Sequence, residues 1–114
     1  MIRMLYKPTC STCRTALALL KEHTDEKIET TEYLIKVPSE DDIRNLLKML
    51  GIKAEQLVRK KEKLYKEKFS GKNFSEEQWI KILHKNPILI ERPIVIKGRK
   101  AILGRPAEKV LDIL

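Results

Sequence analysis

The hydrophobic and polar positions of this chain fall into short runs that name its elements one after another. Met1-Ile2-Arg3-Met4-Leu5-Tyr6 is an apolar run of the length of a buried strand. Cys13, Ala16, Leu17 and Leu20 follow at i, i+3, i+4 and i+7, one face of a helix from about Ser11 to His23. Thr24-Asp25-Glu26-Lys27 is a polar connector, and the stretch from Ile28 to Leu34 alternates and carries β-branched residues, as a strand does. Ser39 opens a second helix, with Asp42 three residues on as its capping partner. Ile43, Leu46, Leu47 and Leu50 stripe that helix, and Gly51 ends it. Ser75 and Gln78 make a second capping pair, before Trp79, Ile82 and Leu83, and Asn86-Pro87 closes that helix. The patterning then returns to strand. Ile94-Val95-Ile96 and Ala101-Ile102-Leu103 flank Lys97-Gly98-Arg99-Lys100, a hairpin turn. Pro106 suits a first helical position, with Ala107, Val110, Leu111 and Leu114 as the buried face of a last helix.

The order is βαβ, a helical segment, then ββα. A four-stranded mixed sheet with helices on its faces accounts for it, with strands one and two parallel, joined by a right-handed crossover, and the hairpin antiparallel. That α/β order is the thioredoxin-like arrangement. We expect residues 1–114 to form a single such domain, with 39–85 as a helical insertion within it.

Composition narrows the class without naming a partner. The chain is 42% hydrophobic and 35% charged, as a soluble globular domain is. It has no apolar run near 18 residues and no basic-then-apolar start, so neither a membrane span nor a signal peptide is expected, and a cytoplasmic location is. The formal charge of +8 suits nucleic acid, anionic membrane or small oxyanions alike. Aromatic residues make up only 5%, and no nucleic-acid reading motif accompanies the charge, which argues against nucleic acid as partner. The most basic stretch, Arg59 to Lys68, has interleaved glutamates and reads either as a solvated helix face or as an anion-attracting rim.

The chemistry sits at Pro8-Thr9-Cys10-Ser11-Thr12-Cys13-Arg14, the turn between the first strand and the first helix. Unpaired amides and the positive end of the helix dipole point at a sulfur placed there, which favours thiolate, the nucleophilic form. Cys13 lies one turn on. A Cys-x-x-Cys at the start of a βαβ unit reads as a thiol–disulfide site. Two further readings stand beside it: buried packing cysteines, and half of a zinc site. The zinc reading lacks two ligands, since His23 and His84 are far apart in the sequence and no carboxylate pair has ligand spacing. No metal is expected.

Three segments together resemble the ArsC/Spx family of thioredoxin-fold arsenate reductases and related regulators. They are Pro8 to Arg14, Leu57 to Tyr65 (Leu-Val-Arg-Lys-Lys-Glu-Lys-Leu-Tyr), and Asn86 to Val95 (Asn-Pro-Ile-Leu-Ile-Glu-Arg-Pro-Ile-Val). The ending from Gly104-Arg105-Pro106 to Leu114 is similar to the arsenate reductase branch. The resemblance implies that Cys10 attacks an oxyanion held by Arg59, Arg92 and Arg105, and that the Arg92–Pro93 bond is cis and faces the site. Ser11, Thr12, Arg14 and Pro93 would line the substrate, and no cofactor would be bound. Glutathione, or a thioredoxin or glutaredoxin, would be the reductant. Two positions depart from the glutathione-linked pattern. Cys13 stands where Ser is usual, and Lys7 where Asn is usual. Cys13 could therefore act as a resolving thiol. The resemblance leaves two other functions in view: an Spx-like redox regulator binding RNA polymerase, and a general thiol–disulfide reductase.

Overall fold

In the computed structural model, which describes residues 1–114, the first apolar run is strand β1 (Ile2–Tyr6). Ile2 and Met4 share one face and are fully buried, while Leu5 is buried on the other. A strand with apolar groups on both faces belongs inside a sheet, and β1 has a partner on each side. It pairs in parallel with β2 (Ile28–Glu32) and antiparallel with β3 (Ile94–Lys97), and β3 pairs antiparallel with β4 (Lys100–Leu103). The order across the sheet is β2-β1-β3-β4. Lys97 stands opposite Lys100, so Gly98 and Arg99 are a two-residue loop. Gly98 takes φ +60° at the first central position, where a type II′ hairpin needs a residue without a Cβ.

Helix α1 (Ser11–His23) joins β1 to β2 and buries Cys13, Ala16 and Leu20. It packs beside a 3₁₀ helix, Ala107–Ile113. Ile2, Met4, Ala16, Leu20, Val95, Ala107 and Val110 form the core between these helices and the sheet. With three residues per turn, Ala107, Val110 and Ile113 stack in one line toward that core. The expected α-helical face is corrected here: Leu111 is half-buried and Leu114 is exposed. β2 is also shorter than expected. The Glu32 carbonyl accepts the amides of Ile35 and Lys36, which turns the chain away after five strand residues.

The chain divides into two compact units, Met1–Lys36 with Arg92–Leu114, and Val37–Glu91. The elements above make up the first. The second is helical. α2 (Glu40–Leu50) opens on a reciprocal Ser39–Asp42 capping box and closes at Gly51 in the left-handed region, φ +69°. Three carboxylates in its first turn complement the helix dipole. α3 is only Lys63–Lys68 and buries no residue, and its lysines Lys63, Lys66 and Lys68 are exposed. α4 (Glu76–Lys85) opens on the Ser75–Gln78 box and packs against α2. Its buried residues are Trp79, Ile80 and Leu83; Ile82, expected inside, is half-buried, and Ile80 takes its place. Phe69 and Phe74 meet Trp79 edge-on or tilted. Val58 bridges Ile90, flanked by Arg59 N–H to the Leu89 carbonyl and Glu91 N–H to the Leu57 carbonyl. No helix is long and apolar enough to cross a membrane.

Candidate active site

The register of the sheet gathers the site at one end. β1 runs antiparallel to β3 with Leu5 opposite Ile94, so the loop leaving β1 emerges where the chain enters β3. Ile94 also faces Leu103, which sets the residues just before β3 beside those just after β4. Cys10, Arg92 and Arg105 thus come together from positions far apart in the sequence.

The loop tightens through the Cys10 amide, which donates to the Lys7 carbonyl at 3.0 Å. Cys10 then caps α1. Its backbone is extended, its carbonyl accepts from the Arg14 amide at 3.1 Å, and its Sγ accepts from the Cys13 amide at 3.4 Å. A sulfur in the N-cap position receives an amide that would otherwise lack a partner. Arg105 Nη2 also donates to Cys10 Sγ, at 3.7 Å, and Arg105 Nε donates to the Arg92 carbonyl at 2.7 Å. That carbonyl therefore holds the Arg105 guanidinium while its outer nitrogen meets the sulfur.

Arg92 is only 5% exposed, which sets it apart from every other arginine of the chain. Its Nη1 donates to the Tyr33 hydroxyl at 3.5 Å, and its Nε is buried without a hydrogen-bond partner. The Arg92–Pro93 bond is cis, as is Arg105–Pro106. Gly104 N–H donates to the Pro93 carbonyl at 2.9 Å, tying the two proline junctions together.

Electrostatics separate the two thiols. Burial raises the Cys10 pKa, but hydrogen bonds from the Cys13 thiol and amide, with the Arg92 guanidinium, outweigh it and bring it down to about 7. Cys13 is fully buried, and burial together with the neighbouring Cys10 sulfur pushes its thiol up to about 11. Between about pH 7 and 11 the pair therefore carries one negative charge, on Cys10, with Cys13 a protonated donor beside it.

The other expected residues are placed as follows. Ser11 is exposed and Thr12 half-buried in the first turn of α1. Arg14 is exposed and its Nη1 donates to the Pro8 carbonyl at 3.2 Å, bracing the loop. Pro93 is buried at the entry to β3. Arg59 belongs to the helical unit, where its guanidinium pairs with Glu62 and Glu91 at 3.6 and 3.7 Å and its Nε has no hydrogen-bond acceptor. No three His, Cys, Asp or Glu side chains gather closely enough to hold a metal ion. Tyr33 is the contact residue that patterning missed. A tyrosine ending an alternating strand reads as core, and nothing in its surroundings marks the hydroxyl.

The arrangement can hold a dianion beside a nucleophilic sulfur. The first-turn amides of α1 and two guanidinium groups supply the donors, and the ionised Cys10 supplies the electron pair. Known proteins resemble this chain over nearly its whole length. The family model described as "ArsC family" matches residues 5–113. The chain is 43% identical to the uncharacterized protein YfgD of Escherichia coli K12, over 99% of this chain and 96% of that one. It is 40% identical to a protein named arsenate reductase from Haemophilus influenzae, over 96% and 95%. Among solved structures, the arsenate reductase from Vibrio cholerae superposes with a TM-score of 0.92 at 36% identity, covering 99% of this chain and 97% of that one.

Proposed function

Since this chain belongs to the ArsC family of thioredoxin-like fold, we propose that it is an arsenate reductase in which Cys10 is the nucleophile. The observation that carries this reading is the contact of Arg105 with a Cys10 sulfur that titrates at about 7. Cys10 thiolate attacks arsenic(V), forms a sulfur–arsenic bond and expels hydroxide, which leaves as water after protonation. Arg92 and Arg105 neutralise the oxyanion as it approaches, and the first-turn amides at Ser11 and Thr12 donate to its oxygens. The buried Pro93 forms the wall, and Arg14 keeps the loop in shape. For Arg59 the same role rests on the family resemblance alone.

A second thiolate then attacks the Cys10 sulfur of the adduct. A disulfide forms, the sulfur–arsenic pair of electrons goes to arsenic, and arsenite leaves as arsenic(III). Cys13 suits this step poorly, because it is fully buried and titrates at about 11. An outside thiol such as glutathione is the better attacker, with Cys13 as hydrogen-bond donor to Cys10. A glutaredoxin or thioredoxin then reduces the disulfide.

The test is arsenate-dependent NADPH oxidation, with glutaredoxin–glutathione and thioredoxin systems supplied separately. Wild type should turn over with the glutathione system. Cys10→Ser should fall to background, and Arg105→Ala should lose roughly 100-fold or more, the size of effect seen when an oxyanion donor is removed. Activity surviving Cys10→Ser contradicts the mechanism. Disulfide turnover that ignores both arsenate and Arg105→Ala would replace it with a general thiol–disulfide reductase.

A further inference from the structure

A guanidinium that is taken out of water keeps its charge and needs acceptors where it is held. Arg92, 5% exposed, has the phenol oxygen of Tyr33 at 3.5 Å from Nη1. Tyr33 is itself 1% exposed and follows directly on Glu32, the last residue of β2. Its anchoring is indirect but stiff. β2 pairs with β1 through Tyr6–Glu32, and β1 pairs with β3 through Leu5–Ile94, so Tyr33 reaches past the end of β1 to the residue that enters β3. A buried aromatic ring has only two side-chain torsions, both fixed by packing, so its oxygen is a rigid point of reference. A flexible polar side chain would not be. Arg92 in turn favours the ionised Cys10 sulfur by its charge, and its carbonyl holds the Arg105 guanidinium that donates to that sulfur at 3.7 Å.

We infer that Tyr33 is a positioning residue: its hydroxyl sets the direction in which the Arg92 guanidinium points, toward Cys10 and the oxyanion that Cys10 attacks. The inference rests on the reading of Cys10 as the working thiolate, and not on arsenate being the substrate. Tyr33 acts on Arg92, and loss of its oxygen leaves the ring packing in place while freeing the guanidinium to turn.

Tyr33→Phe tests this directly. The readout is the rate of Cys10 alkylation by iodoacetamide across pH 5 to 10, with thermal denaturation run beside it. The variant should fold and melt close to wild type, while its alkylation midpoint moves upward by about half to one pH unit. At pH 7 that is a roughly two- to fivefold slower reaction, with rates converging at high pH where the thiolate is complete. The shift should vanish in an Arg92→Gln background, because the inferred role runs through that guanidinium. A Tyr33→Phe profile lying on that of wild type, while Arg92→Gln shifts, overturns the inference. So does a shift of equal size in the Arg92→Gln background. Arsenate takes no part in the measurement, so a protein without arsenate turnover still decides it.

Discussion

At the scale of single residues, the two cysteines show how far neighbours can divide identical groups. Cys10 and Cys13 are one helical turn apart, yet one titrates at about 7 and the other at about 11. Cys10 collects an amide, a thiol and guanidinium groups; Cys13 sits in the core and faces a sulfur that is already charged. This division has a thermodynamic consequence with a definite sign. The folded pKa of Cys10 lies below the value near 9 of a free thiol, so between about pH 7 and 9 the unfolded chain binds the extra proton. Stability from Cys10 is present above that window and is lost as pH falls through about 7. Urea denaturation should therefore show wild type gaining on Cys10→Ser as pH rises from 7 to 9, and a flat difference would contradict the depressed pKa. The sequence makes Cys10 legible, because a thiol at a strand-to-helix turn announces its amides. It does not make Arg92 legible as a buried charge, since most arginines lie on surfaces, nor does it connect Arg92 with Tyr33. Both depend on a sheet register that no local pattern contains.

At the scale of elements, the joints carry the function more than the regular segments do. The step from β4 into the last 3₁₀ helix passes through Gly104, and Arg105 follows it. A Cβ there would stand 2.7 Å from Val110 Cγ1 and 2.8 Å from Pro93 Cγ, closer than carbon atoms tolerate. Val110 is fully buried in the core and Pro93 is buried at the site, so neither can give way freely. Gly104→Ala should cost about 1–3 kcal/mol, the usual range for overpacking, read as a lowered urea midpoint with an unchanged slope. It should also slow arsenate turnover more than a surface change such as Lys109→Ala, because it displaces Arg105 and Pro93. Helix starts were legible almost to the residue, since Ser39–Asp42 and Ser75–Gln78 satisfy orphan amides by local chemistry alone. Helix type at the C-terminus was not. Ala107, Val110, Leu111 and Leu114 fit an α-helical face equally well on paper, and only packing against α1 and the sheet selects a period of three. The same holds for Ile80 over Ile82 in α4, whose inward face is chosen by α2 and the aromatic group around Trp79.

At the scale of the whole molecule, 24 basic against 16 acidic side chains leave an excess of +8. Such an excess raises the local concentration of small anions in a salt-dependent way. It does not choose among them. The choice falls to a few donors of fixed geometry around one sulfur, and the order βαβ then ββα was enough to foretell where the loop with Cys10 would stand in the sheet. The central claim is that this sulfur is ionised at neutral pH and shares its donors with an oxyanion. Alkylation of Cys10 in the wild-type protein, followed by mass spectrometry from pH 5 to 10 with and without arsenate, tests both halves at once. A single titration with its midpoint at about 7, and slower labelling when arsenate is present, is the predicted result. A midpoint in the ordinary thiol range of roughly 8.5, with labelling indifferent to arsenate, would contradict it.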